Sequence, residues 1–105
     1  MKLFEFFQSS DINRDVEQYR RTSGAMLLDV RGADEYAEGH IPGSVNIPLQ
    51  QLPEKKGLPE DLSTPLFVYC RSGGRSRRAA AFLEKAGYAN VKNIGGIMNW
   101  QGETE

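Results

Sequence analysis

The sequence predicts an α/β domain: a central, mostly parallel sheet flanked by helices. Short apolar runs such as AMLLDV (25–30) and PLFVYC (65–70) have the length and composition of buried strands. Segments with helical spacing alternate with them, the order expected of a parallel sheet with crossover helices. The 105 residues suffice for one core and are too few for two. Residues 1–105 are therefore read as a single domain, with its core at about 13–100 and an N-terminal extension at 1–12.

In chain order, residues 1–8 are read as a short amphipathic helix with Leu3, Phe4 and Phe7 facing inward. The Phe4–Phe7 patch either packs on the domain or offers a contact surface. Asn13 is the expected N-cap of a helix through Arg21, in which Val16 and Tyr19 share one face. Thr22-Ser23-Gly24 ends it, and the strand at 25–30 follows. ADEYAEG (33–39) reads as a short helix with Gly39 past its end. Pro42-Gly43 suits the centre of a type II turn, because glycine takes positive φ there. A short strand at 44–47 comes next, then a polar connection (49–63) with one helical turn at Leu49–Leu52. The strand at 65–70 leads to a helix from Arg75 to Ala86. In it Ala79, Phe82, Leu83 and Ala86 repeat at i, i+3, i+4 and i+7, and Gly87 stops it. NVKNI (90–94) is a third strand, and Gly95-Gly96 leads to a last turn that either closes the core through Met98 and Trp100 or also borders the pocket.

The formal net charge is −1, so the basic excess of a general nucleic-acid binder is missing. One cysteine makes no internal disulfide, and one cysteine with one histidine argues against a zinc site. Glu5 and the polar run from Gln8 to Asp11 interrupt the only stretch resembling a signal peptide, and no run has membrane-spanning length. The expectation is a cytoplasmic protein with a reduced thiol, no metal or organic cofactor, and no membrane or nucleic-acid partner.

Cys70 ends an apolar strand, and in an open parallel sheet ligands bind beyond the carboxyl ends of strands. An isolated strand cysteine is most often an inert, buried small hydrophobe. Its surroundings change that reading. Gly73 and Gly74 let the backbone curl so that N–H groups gather around one point. The next helix aims its positive end there, and Arg71 and Arg75 add charge. These effects favour a thiolate and lower its pKa below the free value of about 8.5. They would also hold an anionic substrate, making Arg71, Ser72, Gly73, Gly74, Arg75 and Ser76 the candidate binding loop. Arg77 and Arg78 suit a solvated helix face.

Several segments, in order, resemble the rhodanese-like or sulfurtransferase domain family, from about Asn13 to Trp100. LLDVR followed by EYAEGHIPGSVNIP is similar to the family's first signature, VYCRSGGRS to its active-site loop, and NIGGIMNW to its closing signature. The resemblance implies a three-layer rhodanese-like fold and chemistry through a persulfide on Cys70. The spacing is C-x4-R, with Ser76 standing where a C-x5-R phosphatase or arsenate reductase of related fold has its arginine. In the family the shorter loop goes with sulfur transfer.

The implied reaction is that of a thiosulfate sulfurtransferase. Cys70 takes a sulfane sulfur from a small anionic donor such as thiosulfate and hands it to cyanide or a thiol. The other readings are a regulatory or persulfide-relay module with a sulfur-relay protein partner and, with less support, a phosphatase or arsenate reductase. His40 is read as structural. Asp29 and Arg31 are expected to pair or brace loops, with Arg31 adding to the positive field, and Glu35 and Glu38 to be solvated helix-face charges.

Overall fold

Strands β1 (Met26–Asp29), β2 (Ser44–Asn46), β3 (Leu66–Cys70) and β4 (Val91–Gly96) form a sheet in the order β2-β1-β3-β4, every pairing parallel. The computed structural model describes residues 11–105, so the helix expected at 1–8 lies outside the described residues. Around the sheet lie helices α1 (Ile12–Arg20), α2 (Ala33–Glu38) and α3 (Gly74–Lys85), with 3-10 turns at Leu49–Glu54 and Ile97–Asn99.

All five residues of β3 are buried, because each face of the sheet is covered. The strand's period of two divides them. Leu66, Val68 and Cys70 enter a core with Leu28, Leu52, Ala79 and Leu83 on the α3 side. Phe67 and Tyr69 enter a second core with Ile12, Val16, Leu27, Ile41 and Ile94 on the α1 side. Each fully buried aliphatic side chain contributes roughly 1.5–3 kcal/mol. The Cys70 side chain is therefore delivered toward the base of α3.

Helix α1 starts at Ile12, the first core residue, with Asp11 as its cap. The Asp11 Oδ1 accepts from the N–H groups of Asn13 (3.1 Å) and Arg14 (3.3 Å). Asn13, expected at the cap, instead ties α1 to the C-terminal segment. Its Nδ2 donates to the Asn99 carbonyl at 3.1 Å, and its Oδ1 accepts from Gln101 N–H at 2.8 Å. In α3, Ala79 and Leu83 are fully buried and Phe82 and Ala86 half-buried, matching the periodic face. The Pro42-Gly43 turn has its glycine at φ +89°, as a type II turn requires.

Three elements differ from expectation. The turn at 49–54 is longer than one turn from Leu49 to Leu52, with Leu52 anchored in the core. Strand β4 runs on through Gly95 and Gly96, because a register shift pairs Val68 with Asn93 but Tyr69 with Gly95. Met98, expected in the core, is 60% exposed; the 3-10 turn faces it outward, while Ile97 and Trp100 pack on the α1-side core.

Candidate active site around Cys70

Parallel strands and short loops bring Cys70 to the carboxyl edge of β3, directly before the α3 N-terminus. The residue is only 1% exposed. Gly73 takes φ +108°, a conformation open to glycine, which turns its N–H back to donate to Sγ at 3.0 Å. Burial pushes the thiol pKa up. Hydrogen bonding from Ser76, Gly73 and Ser72 outweighs it, so the net shift is downward. The thiolate is thus favoured chiefly by short-range dipoles of its own loop.

The loop is pressed from behind by the end of β4. Met98 N–H donates to the Arg71 carbonyl at 3.1 Å. A Cβ on Gly96 would overlap that same carbonyl oxygen and the Ser72 Cα, so only glycine admits this approach. Ser76 is fully buried. Its Oγ lies 2.7 Å from Asn93 Oδ1 and 3.1 Å from the Gly73 carbonyl.

Arg75 does not stand free beside the sulfur. Its Nη1 and Nη2 donate to Glu35 Oε1 and Oε2 at 2.7 and 3.0 Å, in a two-pronged pair between α3 and α2. Glu35 also accepts from Gly32 N–H at 2.9 Å, bracing the start of α2. The hydrogen bonds from Arg75, against a smaller opposing effect of burial, hold the Glu35 carboxyl down at about 2. Glu35 is accordingly a partner of the candidate loop, not the solvated helix charge expected; Glu38 is exposed. Its spacing from Gly32 marks a helix start, but nothing in the sequence links it to a residue forty positions away. Asn93 was missed too, since its role depends on the β4 register shift.

Asp29 and Arg31 pair as expected, both buried. Arg31 Nη2 donates to Asp29 Oδ2 at 2.8 Å and to the Gly39 carbonyl at 2.7 Å, bracing the loops after β1 and α2. The Arg31 charge is thereby committed and adds little free positive field. The His40 ring stacks on Tyr36 at 3.7 Å, and its Nδ1 is 2.9 Å from the Tyr36 carbonyl. These contacts give it a structural place at the end of α2. Arg71, Ser72, Arg77 and Arg78 are exposed. A cleft of about 480 Å³ runs beside the loop, its wall including Ser72, Gly73, Gly74, Arg77, Asn93 and Gly95.

The arrangement suits a chemistry in which sulfur carries negative charge inside a tight ring of donors. The sequence agrees with it over most of its length: the model of the rhodanese-like domain matches residues 13–103. The chain belongs to the rhodanese-like domain family. This rhodanese-like domain is 36% identical over 74 residues to the thiosulfate sulfurtransferase PspE of Escherichia coli, covering 69% of the present chain and 70% of PspE. It is 40% identical over 80 residues to the putative sulfur carrier protein YrkF of Bacillus subtilis; that match takes in 75% of the chain but only 43% of YrkF. A solved structure described as rhodanese with anions from E. coli superposes with a TM-score of 0.70 at 31% identity, over 77% of this chain and 96% of that one.

Proposed function

We propose that this rhodanese-like domain is a sulfurtransferase with Cys70 as its nucleophile. The observation that carries the reading is the sulfur's setting: Sγ at the strand edge, with Gly73 N–H at 3.0 Å and a thiol pKa lowered by its own loop. The thiolate attacks the outer, sulfane sulfur of a donor such as thiosulfate. A bond forms between Sγ and that sulfur, the donor's S–S bond breaks, and sulfite leaves with the electron pair. The persulfide's terminal sulfur then carries the charge, and the loop N–H groups and Arg71 hold it. Cyanide or a thiolate attacks the terminal sulfur, the persulfide S–S bond breaks, and the Cys70 thiolate departs. Two half-reactions sharing one covalent intermediate give ping-pong kinetics.

The name of PspE supports thiosulfate as donor, and that of YrkF supports a sulfur-relay partner as donor or acceptor. Ser76, standing where a phosphatase spacing needs a cation, is buried and hydrogen-bonded to Asn93, which speaks against phosphate or arsenate chemistry. Among the described residues no helix is long and apolar enough to cross a membrane. A nucleophilic thiol works only while reduced, which favours the cytoplasm as its compartment.

Intact-protein mass spectrometry with and without thiosulfate tests the reading. Wild type is expected to gain one sulfur atom, to lose it to cyanide as thiocyanate, and to do neither as Cys70→Ser. A Cys70→Ser protein that still gains sulfur and turns over would refute it.

A further inference from the structure

The loop around Cys70 has no side-chain cap at its helix start, because Gly73 occupies that position. Something else must fix the direction of its N–H groups. The contacts converge on the half-buried Asn93 of β4. Its Oδ1 accepts the Gly95 N–H at 3.0 Å and lies 2.7 Å from Ser76 Oγ, while its Nδ2 lies 3.5 Å from the Gly73 carbonyl. The Gly95 N–H is only a donor, so it fixes which end of the amide is oxygen. Ser76 must then be the donor in its contact with that oxygen. One amide therefore joins the β4 register shift, the buried hydroxyl of α3 and the turn that aims Gly73 N–H at sulfur.

We propose that Asn93 is a positioning residue for Cys70, acting through Ser76 and the backbone of Gly73 and Gly95 to hold the loop in its thiolate-binding shape. The proposal rests on the reading of Cys70 as a nucleophile and adds the residue that maintains it. Two arginines at the carboxyl edge of the sheet are already paired: Arg75 with Glu35, and Arg31 with Asp29. Arg71, beside the cysteine, stays exposed. The thiolate thus depends on dipoles whose direction Asn93 sets. A hydrogen-bond donor a few tenths of an ångström out of line loses much of its effect on a buried charge.

The rate of Cys70 alkylation by iodoacetamide, followed against pH, reads the thiolate directly and needs no sulfur transfer. Failure of thiosulfate turnover would overturn the functional reading and leave this measurement standing. With Asn93→Ala the midpoint is expected to rise by about one pH unit, which slows alkylation about tenfold below the midpoint. Asn93→Asp keeps the acceptor but gives up the Nδ2 contact with the Gly73 carbonyl and sets a negative charge beside the loop, so its midpoint also rises. Once Ser76→Ala is in place, Asn93→Ala should add less than half of its own shift. An unchanged midpoint in a folded Asn93→Ala, or full additivity with Ser76→Ala, overturns the proposal. If Asn93→Ala fails to fold, Asn93→Asp decides: an unchanged or lower midpoint overturns it.

Discussion

Glu35 and Arg75, forty residues apart in the chain, meet through two hydrogen bonds of 2.7 and 3.0 Å. The guanidinium that closes the Cys70 loop is thereby turned toward α2 and carries its own counter-charge. An incoming anion must compete with Glu35 for it, whereas Arg71 remains exposed at the rim. Positive charge around the sulfur is therefore scarcer than the run of arginines suggests.

Glu35→Gln should release that charge. The expected outcome is a KM for thiosulfate about three- to tenfold lower, with the alkylation midpoint of Cys70 moving down as the freed guanidinium favours the thiolate. The melting temperature should fall by roughly a few degrees at most, since partly exposed ion pairs contribute about 0–1 kcal/mol. Steady-state kinetics with thiosulfate and cyanide check this. A raised KM would mean that Glu35 serves by aiming Arg75 at the donor.

The same pair sets an acid limit. Its carboxyl titrates at about 2, below the ordinary glutamate value. A lowered folded-state pKa gives a contribution that is complete above the unfolded value of about 4.3 and fades as pH falls toward 2. Thermal melts of wild type and Glu35→Gln should accordingly converge as pH drops through that window and run parallel above it. A gap that stays constant down to the acid end would show that the pair is broken already at neutral pH.

Gly96→Ala should damage the site more than the fold. The new methyl meets the Arg71 carbonyl and the Ser72 Cα, both backbone, so the loop itself has to move. Overpacking of this kind costs about 1–3 kcal/mol. The expected signature is a lower melting temperature together with a Cys70 alkylation midpoint shifted upward, because displaced N–H groups no longer converge on sulfur. Gly74→Ala is the contrasting variant, since nothing lies within 4 Å of its added Cβ. It should leave the midpoint within a few tenths of a unit of wild type.

Apolar runs and helical spacing carry most of this fold. PLFVYC becomes β3 because burial on both faces selects a continuous apolar strand, and the Ala79-to-Ala86 periodicity becomes the packed face of α3. The loop was legible for a similar reason: a cysteine, two glycines and a helix start are neighbours in sequence, and local geometry follows from local sequence. Glu35, Asn93 and Met98 were illegible because their places are set by tertiary registration. Glu35 meets a helix forty residues on, Asn93 acquires its contacts only where β4 shifts register, and Met98 turns outward because one 3-10 turn follows Gly96. Asp11 won the cap from Asn13 because Ile12 is already a core residue and the cap has to precede it.

Asp29 and Arg31 offer the clearest asymmetry for a last test. Both are buried, and Arg31 spends its guanidinium on Asp29 and on the Gly39 carbonyl. Burial lowers the Arg31 pKa, but the Asp29 hydrogen bonds and charge outweigh it and raise it overall. Asp29→Asn leaves a guanidinium that cannot shed its proton, and breaking such a pair costs about 3–5 kcal/mol. Arg31→Met leaves a carboxyl that still accepts the N–H of residue 31, at 2.8 Å in the wild type, so its cost is smaller. Urea denaturation at neutral pH should show both variants weaker than wild type, with Asp29→Asn losing clearly more than Arg31→Met. Equal losses in the two variants would mean that the pair is held by packing and not by charge.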